Sequence, residues 1–391
     1  MIEQWGARAT TQWSQARQSK NIKDSMRQPN LWQRISSPSA VLLLPTIFII
    51  LFLSIFPLIV SLLLSFARVT FVRGGVDVTF VGLSNYQKLL FGSQQRHLLG
   101  RFGELSLAGW LIFLVVAGVL MYWLYQALID SKRSIRGMFF RLIGALMTAL
   151  LVWICTSTLT SDGLPGTMVV TLIFVVAGVF VQYAIGLVLA MLLVQNLRGK
   201  RFFRVVFLLP MMITPVGVAF LLRMLADTHV GPLAPLFNAI GLGSFSWSQN
   251  AADARIAVLI GDIWQWTPLM FIILLAALEG ISRDQTEAAL VDGANRLQIF
   301  RFVIIPQIAP VSLTLILIRM IEAFKLIDIP RILTGGGPGT ATETMTLHAY
   351  IEWRSPNLGG SAAISYLLLI LVTFIATMLV TVVRQKVLER L

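Results

Sequence analysis

Four charged residues punctuate one apolar stretch: Arg319, Glu322, Lys325 and Asp328. They are three apart, a spacing that lines one side of a helix. A charge at bilayer depth costs about 2.5–3.5 kcal/mol on insertion scales. Such groups face a polar cavity and pair with one another. A second polar interruption, Asp262-Ile263-Trp264-Gln265-Trp266-Thr267-Pro268, breaks another apolar run. Nothing in the chain forms a catalytic apparatus. Gly199-Lys200 lacks the first glycine of a phosphate loop, and Gly335-Gly336-Gly337-Pro338-Gly339 is followed by threonine rather than lysine. His97, His229 and His348 are scattered without metal-ligand spacing. The single cysteine, Cys155, lies in an apolar run and has no partner for an internal disulfide.

The elements holding these charges are membrane spans. The chain has 391 residues, 57% hydrophobic and 13% charged, against about 25% charged in ordinary soluble domains. Apolar runs lie at about 40–66, 105–129, 142–160, 167–195, 205–225, 256–278, 307–327 and 360–383. The fold class is therefore all-α, a polytopic membrane protein of about eight transmembrane helices. A net charge of +13 in a soluble protein would suggest nucleic acid. Here the basic residues cluster in short loops, so no nucleic-acid partner is expected. Of the 31 Lys and Arg, 20 fall on one side in this topology and 7 on the other. That asymmetry puts both termini in the cytoplasm. A polar stretch precedes the first run, which is too long for a signal h-region, so the run should stay as a span. Residues 1–38 are polar and basic, with Trp5, Trp13 and Trp32 interleaved. They read equally as a segment resting on the bilayer or as a disordered tail.

One loop between spans, 280–306, is distinctive. Ser282 and Gln285 have the spacing of a capping box. Gly293 can end the short helix they begin, and Asn295 can start another. Ala288, Ala289, Leu290 and Val291 leave an apolar ridge beside Glu287 and Asp292, which is a docking surface for another protein. The alternative is an amphipathic helix lying on the membrane.

This loop resembles the EAA loop of binding-protein-dependent ATP-driven importers. The matching residues are Glu287-Ala288-Ala289, Asp292-Gly293-Ala294, Phe300 and Val303-x-Ile305-Pro306. Leu44-Pro45, Phe56-Pro57-Leu58 and Ser65-Phe66 are similar to the first core helix of sugar-importer permeases, and Phe80-Val81-Gly82-Leu83-Ser84-Asn85-Tyr86 continues the likeness. Leu333-Thr334-Gly335-Gly336-Gly337-Pro338 and Thr342-Glu343-Thr344 resemble the outer loop of the first of two permease subunits. The likeness lapses over about 93–165, where two runs flank Ser131-Lys132-Arg133-Ser134-Ile135-Arg136-Gly137. The organisation expected is thus a basic segment (1–38), a first core span with its outer loop (39–92), an inserted two-span hairpin (93–165) and a permease core (166–391).

The resemblance implies a maltose-type permease subunit in the bacterial or archaeal plasma (inner) membrane. Its partners would be a second permease subunit, a homodimer of ATP-binding subunits and a periplasmic or lipid-anchored solute-binding protein. ATP and Mg would sit on the ATP-binding subunits, and this chain would bind no cofactor. Glu287, Ala288, Ala289, Asp292, Gly293 and Pro306 would couple to the ATPase. Arg319, Glu322, Ala323 and Leu326, with Met211, Pro215, Trp266 and Leu269, match sugar-contact positions. Where the maltose-type helix is uncharged, this chain has Arg319 and Glu322. Either they hold a polyhydroxylated ligand by charge-assisted hydrogen bonds, or they form a structural ion pair. The tryptophans either stack on sugar rings or belong to an interfacial belt. A secondary transporter using these carboxylates as ion sites would explain the charges but not the loop; a structural or regulatory membrane scaffold would show no transport at all.

Overall fold

The structure, a computed structural model, describes residues 38–129, 135–160, 162–195, 198–225, 231–241, 245 and 249–388. The basic segment 1–37 with its three tryptophans lies outside the described residues. So do His229, Asn196-Leu197 and most of the basic loop between the hairpin spans. The described residues up to 61 form one unit and those from 62 onward another. The first holds most of an apolar helix, α1 (Leu44–Ser65), whose side chains are exposed along nearly its whole length.

The second unit begins with a feature absent from an all-helical expectation. Strands β1 (Ala67–Val72) and β2 (Gly75–Phe80) form a small antiparallel hairpin. Helices α2 (Leu107–Ile129) and α3 (Ile135–Thr158) form the hairpin of the 93–165 region. Then come α4 (Thr167–Val194), α5 (Lys200–Met212), α6 (Pro215–Leu225) and α7 (Ala251–Glu279). The short α8 (Arg283–Val291) precedes α9 (Arg296–Phe324), α10 (Met345–Arg354) and α11 (Leu358–Leu388). Seven described helices are long and apolar enough to cross a membrane, or eight if α5 and α6 count as one broken span.

Helices α4 and α7 form the core. Lipid supplies no hydrophobic drive between helices, so close backbone approach through small residues must serve instead. Gly186 provides it: a Cβ there would stand 2.6 Å from Met270 Cβ and 3.0 Å from Phe271 N. Phe271, Leu274, Leu275, Ile308, Leu315 and Phe324 are buried around this contact. Polar pins secure the entrance to the unit. Asn85 Nδ2 donates to the carbonyls of Ser65 (2.9 Å) and Ala67 (3.0 Å), and Tyr86 Oη bonds Ser65 Oγ at 2.8 Å.

Prolines locate the irregular turns. Leu51–Ile55 and Phe300–Ile304 are wide, five-residue turns preceding Pro57 and Pro306. In the second, the Ile305 N–H reaches back to Phe300 O. Proline lacks an N–H and its ring crowds the preceding turn, and local widening re-satisfies the freed carbonyls.

Candidate functional site

Among the described residues, α5 and α6 make the one sharply bent pair of apolar helices. The two helices bend by 95° across Ile213 and Thr214. Pro215 opens α6 and has no N–H to give the preceding turn. Backbone left unpaired at membrane depth is tolerated only where protein or a cavity satisfies it. Gln265 of α7 does this, its Nε2 donating to Ile213 O at 3.0 Å. Gln265 Oε1 is buried and has no partner. Met211 is exposed on one flank of the break, and Pro215 is half-buried on the other.

One to two turns away lies a buried polar cluster. Arg319 on α9 is 1% exposed. Its Nη2 bonds both Asp262 oxygens, at 2.6 and 2.5 Å, and its Nε donates to Gln182 Oε1 at 2.8 Å. Gln182 on α4 completes the ring, donating Nε2 to Asp262 Oδ2 (2.8 Å) and to the Asp262 carbonyl (3.0 Å). Gly178, one turn earlier, keeps the space open, because a Cβ there would stand 3.2 Å from Asp262 Oδ2. Trp266 lies under the guanidinium, 5.0 Å from ring centroid to Arg319 Cζ. Three helices are thereby joined through one charge pair whose carboxylate and Arg319 Nε and Nη2 are hydrogen-bonded, as burying ions requires.

This arrangement corrects the single charged stripe read from the spacing. Helix α9 ends at Phe324, so Lys325 caps it and Asp328 begins the next turn of chain. Arg319 faces inward, to Asp262 rather than Glu322. Glu322 is 38% exposed at its side chain and pairs with Lys325 at 2.6 Å. Ala323 is buried in the apolar core, Leu269 packs against it, and Leu326 lies against a smaller core containing Phe174 and Ile329. Asp262 and Gln182 were the partners that spacing did not reveal. Asp262 opens the polar interruption Asp262–Pro268, whereas Gln182 is a lone amide in the long apolar run of α4.

The loop helix α8 stands out from the core. Glu287, Ala288, Asp292, Gly293 and Pro306 are exposed and Ala289 is half-buried. Leu290 is 57% and Val291 87% exposed. Gly293 adopts φ +82° and ends the helix, its N–H bonding Leu290 O. Asn295 and Gln298 form a reciprocal capping box for the next turn. The expected box at Ser282 is absent: Ser282 precedes the helix but its side chain makes no capping bond. At the base, Glu279 Oε1 accepts from Lys200 Nζ (2.8 Å) and Arg204 Nη2 (2.9 Å), tying the end of α7 to α5.

Folding also gathers residues that are far apart in sequence. His97 stacks on His348 with centroids 3.8 Å apart. Glu343, 5% exposed, accepts from or shares a proton with His97 at 2.9 Å. That hydrogen bond outweighs burial and raises the His97 pKa above its ordinary value. The scattered-histidine reading missed this grouping.

Spans packed through glycine, a broken helix beside a buried ion cluster, and an exposed helix carried between two spans are the parts of a membrane permease. The chain belongs to the family of binding-protein-dependent transport system inner membrane components, which residues 182–389 match. It is 32% identical over 271 residues to a probable ABC transporter permease protein, y4oQ, of Sinorhizobium fredii, covering 69% of this chain and 85% of that one. It is also 32% identical over 218 residues to the trehalose/maltose transport system permease protein MalF of Thermococcus litoralis, covering 56% and 72%. Against the sn-glycerol-3-phosphate transport system permease protein UgpA of Yersinia pseudotuberculosis, identity is 33% over 226 residues, covering 56% and 74%. The crystal structure of a bacterial alginate ABC transporter, in complex with its alginate pentasaccharide-bound periplasmic protein, contains a chain of the same fold. Its TM-score is 0.60 at 16% identity, covering 92% of this chain and 99% of that one.

Proposed function

We propose that this chain forms one half of the translocation path of an ATP-driven importer for a sugar or sugar-like solute. A second permease subunit supplies the other half. A homodimer of ATP-binding subunits carries ATP and Mg, and a periplasmic or lipid-anchored binding protein delivers the solute. The chain sits in the plasma (inner) membrane with both termini in the cytoplasm. The observation that carries this reading is α8, an exposed helix between two spans whose Leu290 and Val291 have no covering element in the described chain. A solvated apolar pair on a loop fits a protein-docking surface.

ATP binding closes the ATPase dimer and pushes on α8, with Glu287, Ala288, Ala289, Asp292 and Gly293 as the contact surface and Pro306 stiffening the exit. The spans then pass from inward-facing to outward-facing, a two-state change biased by nucleotide. Within the path, Arg319 acts as a joint rather than a ligand contact, because its Nε and Nη2 are engaged by Gln182 and Asp262 and its side chain is 1% exposed. Glu322, Trp264, Trp266, Met211 and the free Gln265 Oε1 are the better candidates for solute contact. Pro215 shapes the break, while Ala323, Leu326 and Leu269 pack its walls.

Glu287→Lys in the reconstituted transporter should abolish uptake while the protein remains inserted. Normal uptake by that variant removes the coupling assignment.

A further inference from the structure

At the end of α9 nearest the glycine-rich loop, three side chains aim ligating atoms into one small volume. They are His97 on the short helix Gln95–Leu98, Glu343 just before α10, and His348 on its first turns. One ligating atom from each lies within 4.8 Å of the other two. His348 is fully buried, and its Nε2 has no hydrogen-bond partner. A buried, unpaired ring nitrogen is costly unless something occupies its lone pair. The other nitrogen, Nδ1, lies 3.2 Å from Thr167 Oγ1. That is the arrangement of a metal-ligating histidine, whose second nitrogen is oriented by an oxygen partner. Glu352 lies behind, its Oε1 3.8 Å from His348 Nε2, held by Gln94 (2.9 Å) and Asn357 (2.5 Å).

We propose that His97, Glu343 and His348 form a binding site for a divalent transition-metal ion of the zinc class. Two imidazoles and a carboxylate are a recurrent zinc donor set that leaves a fourth position for water. Bonds of about 2.0–2.2 Å in tetrahedral geometry place ligand atoms about 3.3–3.5 Å apart. To reach this, His97, 32% exposed at its side chain, must swing out of its stack on His348 so that the two in-plane lone pairs converge on the ion. The ion takes the place of the proton between His97 Nε2 and Glu343 Oε1 and fills the vacant Nε2 of His348. It ties the Gln95–Leu98 helix, which precedes the hairpin, to α10.

The test is zinc binding by the full chain, purified with its copurifying subunits in nanodiscs and stripped with chelator. Titration with ZnCl₂, read by calorimetry and by metal analysis after dialysis, should find one tight site per copy of this chain. His97→Asn alters a part-exposed side chain and should weaken that site at least about tenfold; His348→Ala should remove it. Co²⁺ should give the visible absorption of a tetrahedral N/O site in the parent protein and lose it in His97→Asn. Equal zinc affinity and stoichiometry in the parent and His97→Asn proteins would overturn the assignment, as would failure of the parent to bind zinc.

Discussion

The guanidinium of Arg319 and the carboxylate of Asp262 meet at 2.5 Å with 1% and 3% of their side chains exposed. They are 57 residues apart and lie on different spans. Removing one member of a buried pair leaves an uncompensated charge, at a cost of about 3–5 kcal/mol, whereas replacing both by apolar groups is often neutral. Arg319→Leu alone should therefore lower the thermal midpoint sharply. Adding Asp262→Leu should restore most of the loss. Midpoints measured in one detergent decide the matter, and a double variant no better than the single one would contradict the joint.

Helix contact at Gly186 predicts a steric effect. The backbone of α7 is one of the near neighbours, so a side chain has no flexible group to displace. Gly186→Leu should cost at least the ~1–3 kcal/mol typical of overpacking, visible as lost monodisperse protein on size exclusion. A leucine variant with parent stability would show that α4 and α7 are not so close.

Glu322 faces the accessible side of α9, paired only with Lys325. Glu322→Gln should change solute affinity or transport-stimulated ATPase activity, with little change in stability, because exposed pairs contribute roughly 0–1 kcal/mol. Transport kinetics identical to the parent would make this charge structural.

Gln265 holds the break open by bonding Ile213 O. Gln265→Leu would leave that carbonyl without its partner, a penalty of about 1–3 kcal/mol. Uptake should fall more than protein yield, since the loss is local to the break. Unchanged uptake would remove Gln265 from the site.

Glu279 gathers Lys200 and Arg204 at the root of α8. Glu279→Ala should loosen this root and reduce the uptake obtained per ATP hydrolysed while α8 stays intact. Coupling ratios in proteoliposomes test it; an unaltered ratio would mean that α8 is held by its flanking spans alone.

Much of this molecule is written locally. A span is a run of apolar residues about as long as the bilayer is thick, so most span positions agreed with the apolar runs to within a few residues. The turn at Gly293 and the cap at Asn295 depend on residues within one or two positions, and both were legible. The charged stripe failed because periodicity assumes the helix continues, and α9 stops at Phe324. Which acid neutralises Arg319 depends on how α4, α7 and α9 pack, and two long apolar runs carry no register information that fixes it. The same holds for His97 and His348, adjacent only because Gln95–Leu98 folds against α10. Hydrophobic length and turn chemistry act over a few residues and are readable one run at a time. Pairing of buried polar groups is set by contacts between distant segments, so only the tertiary structure decides it.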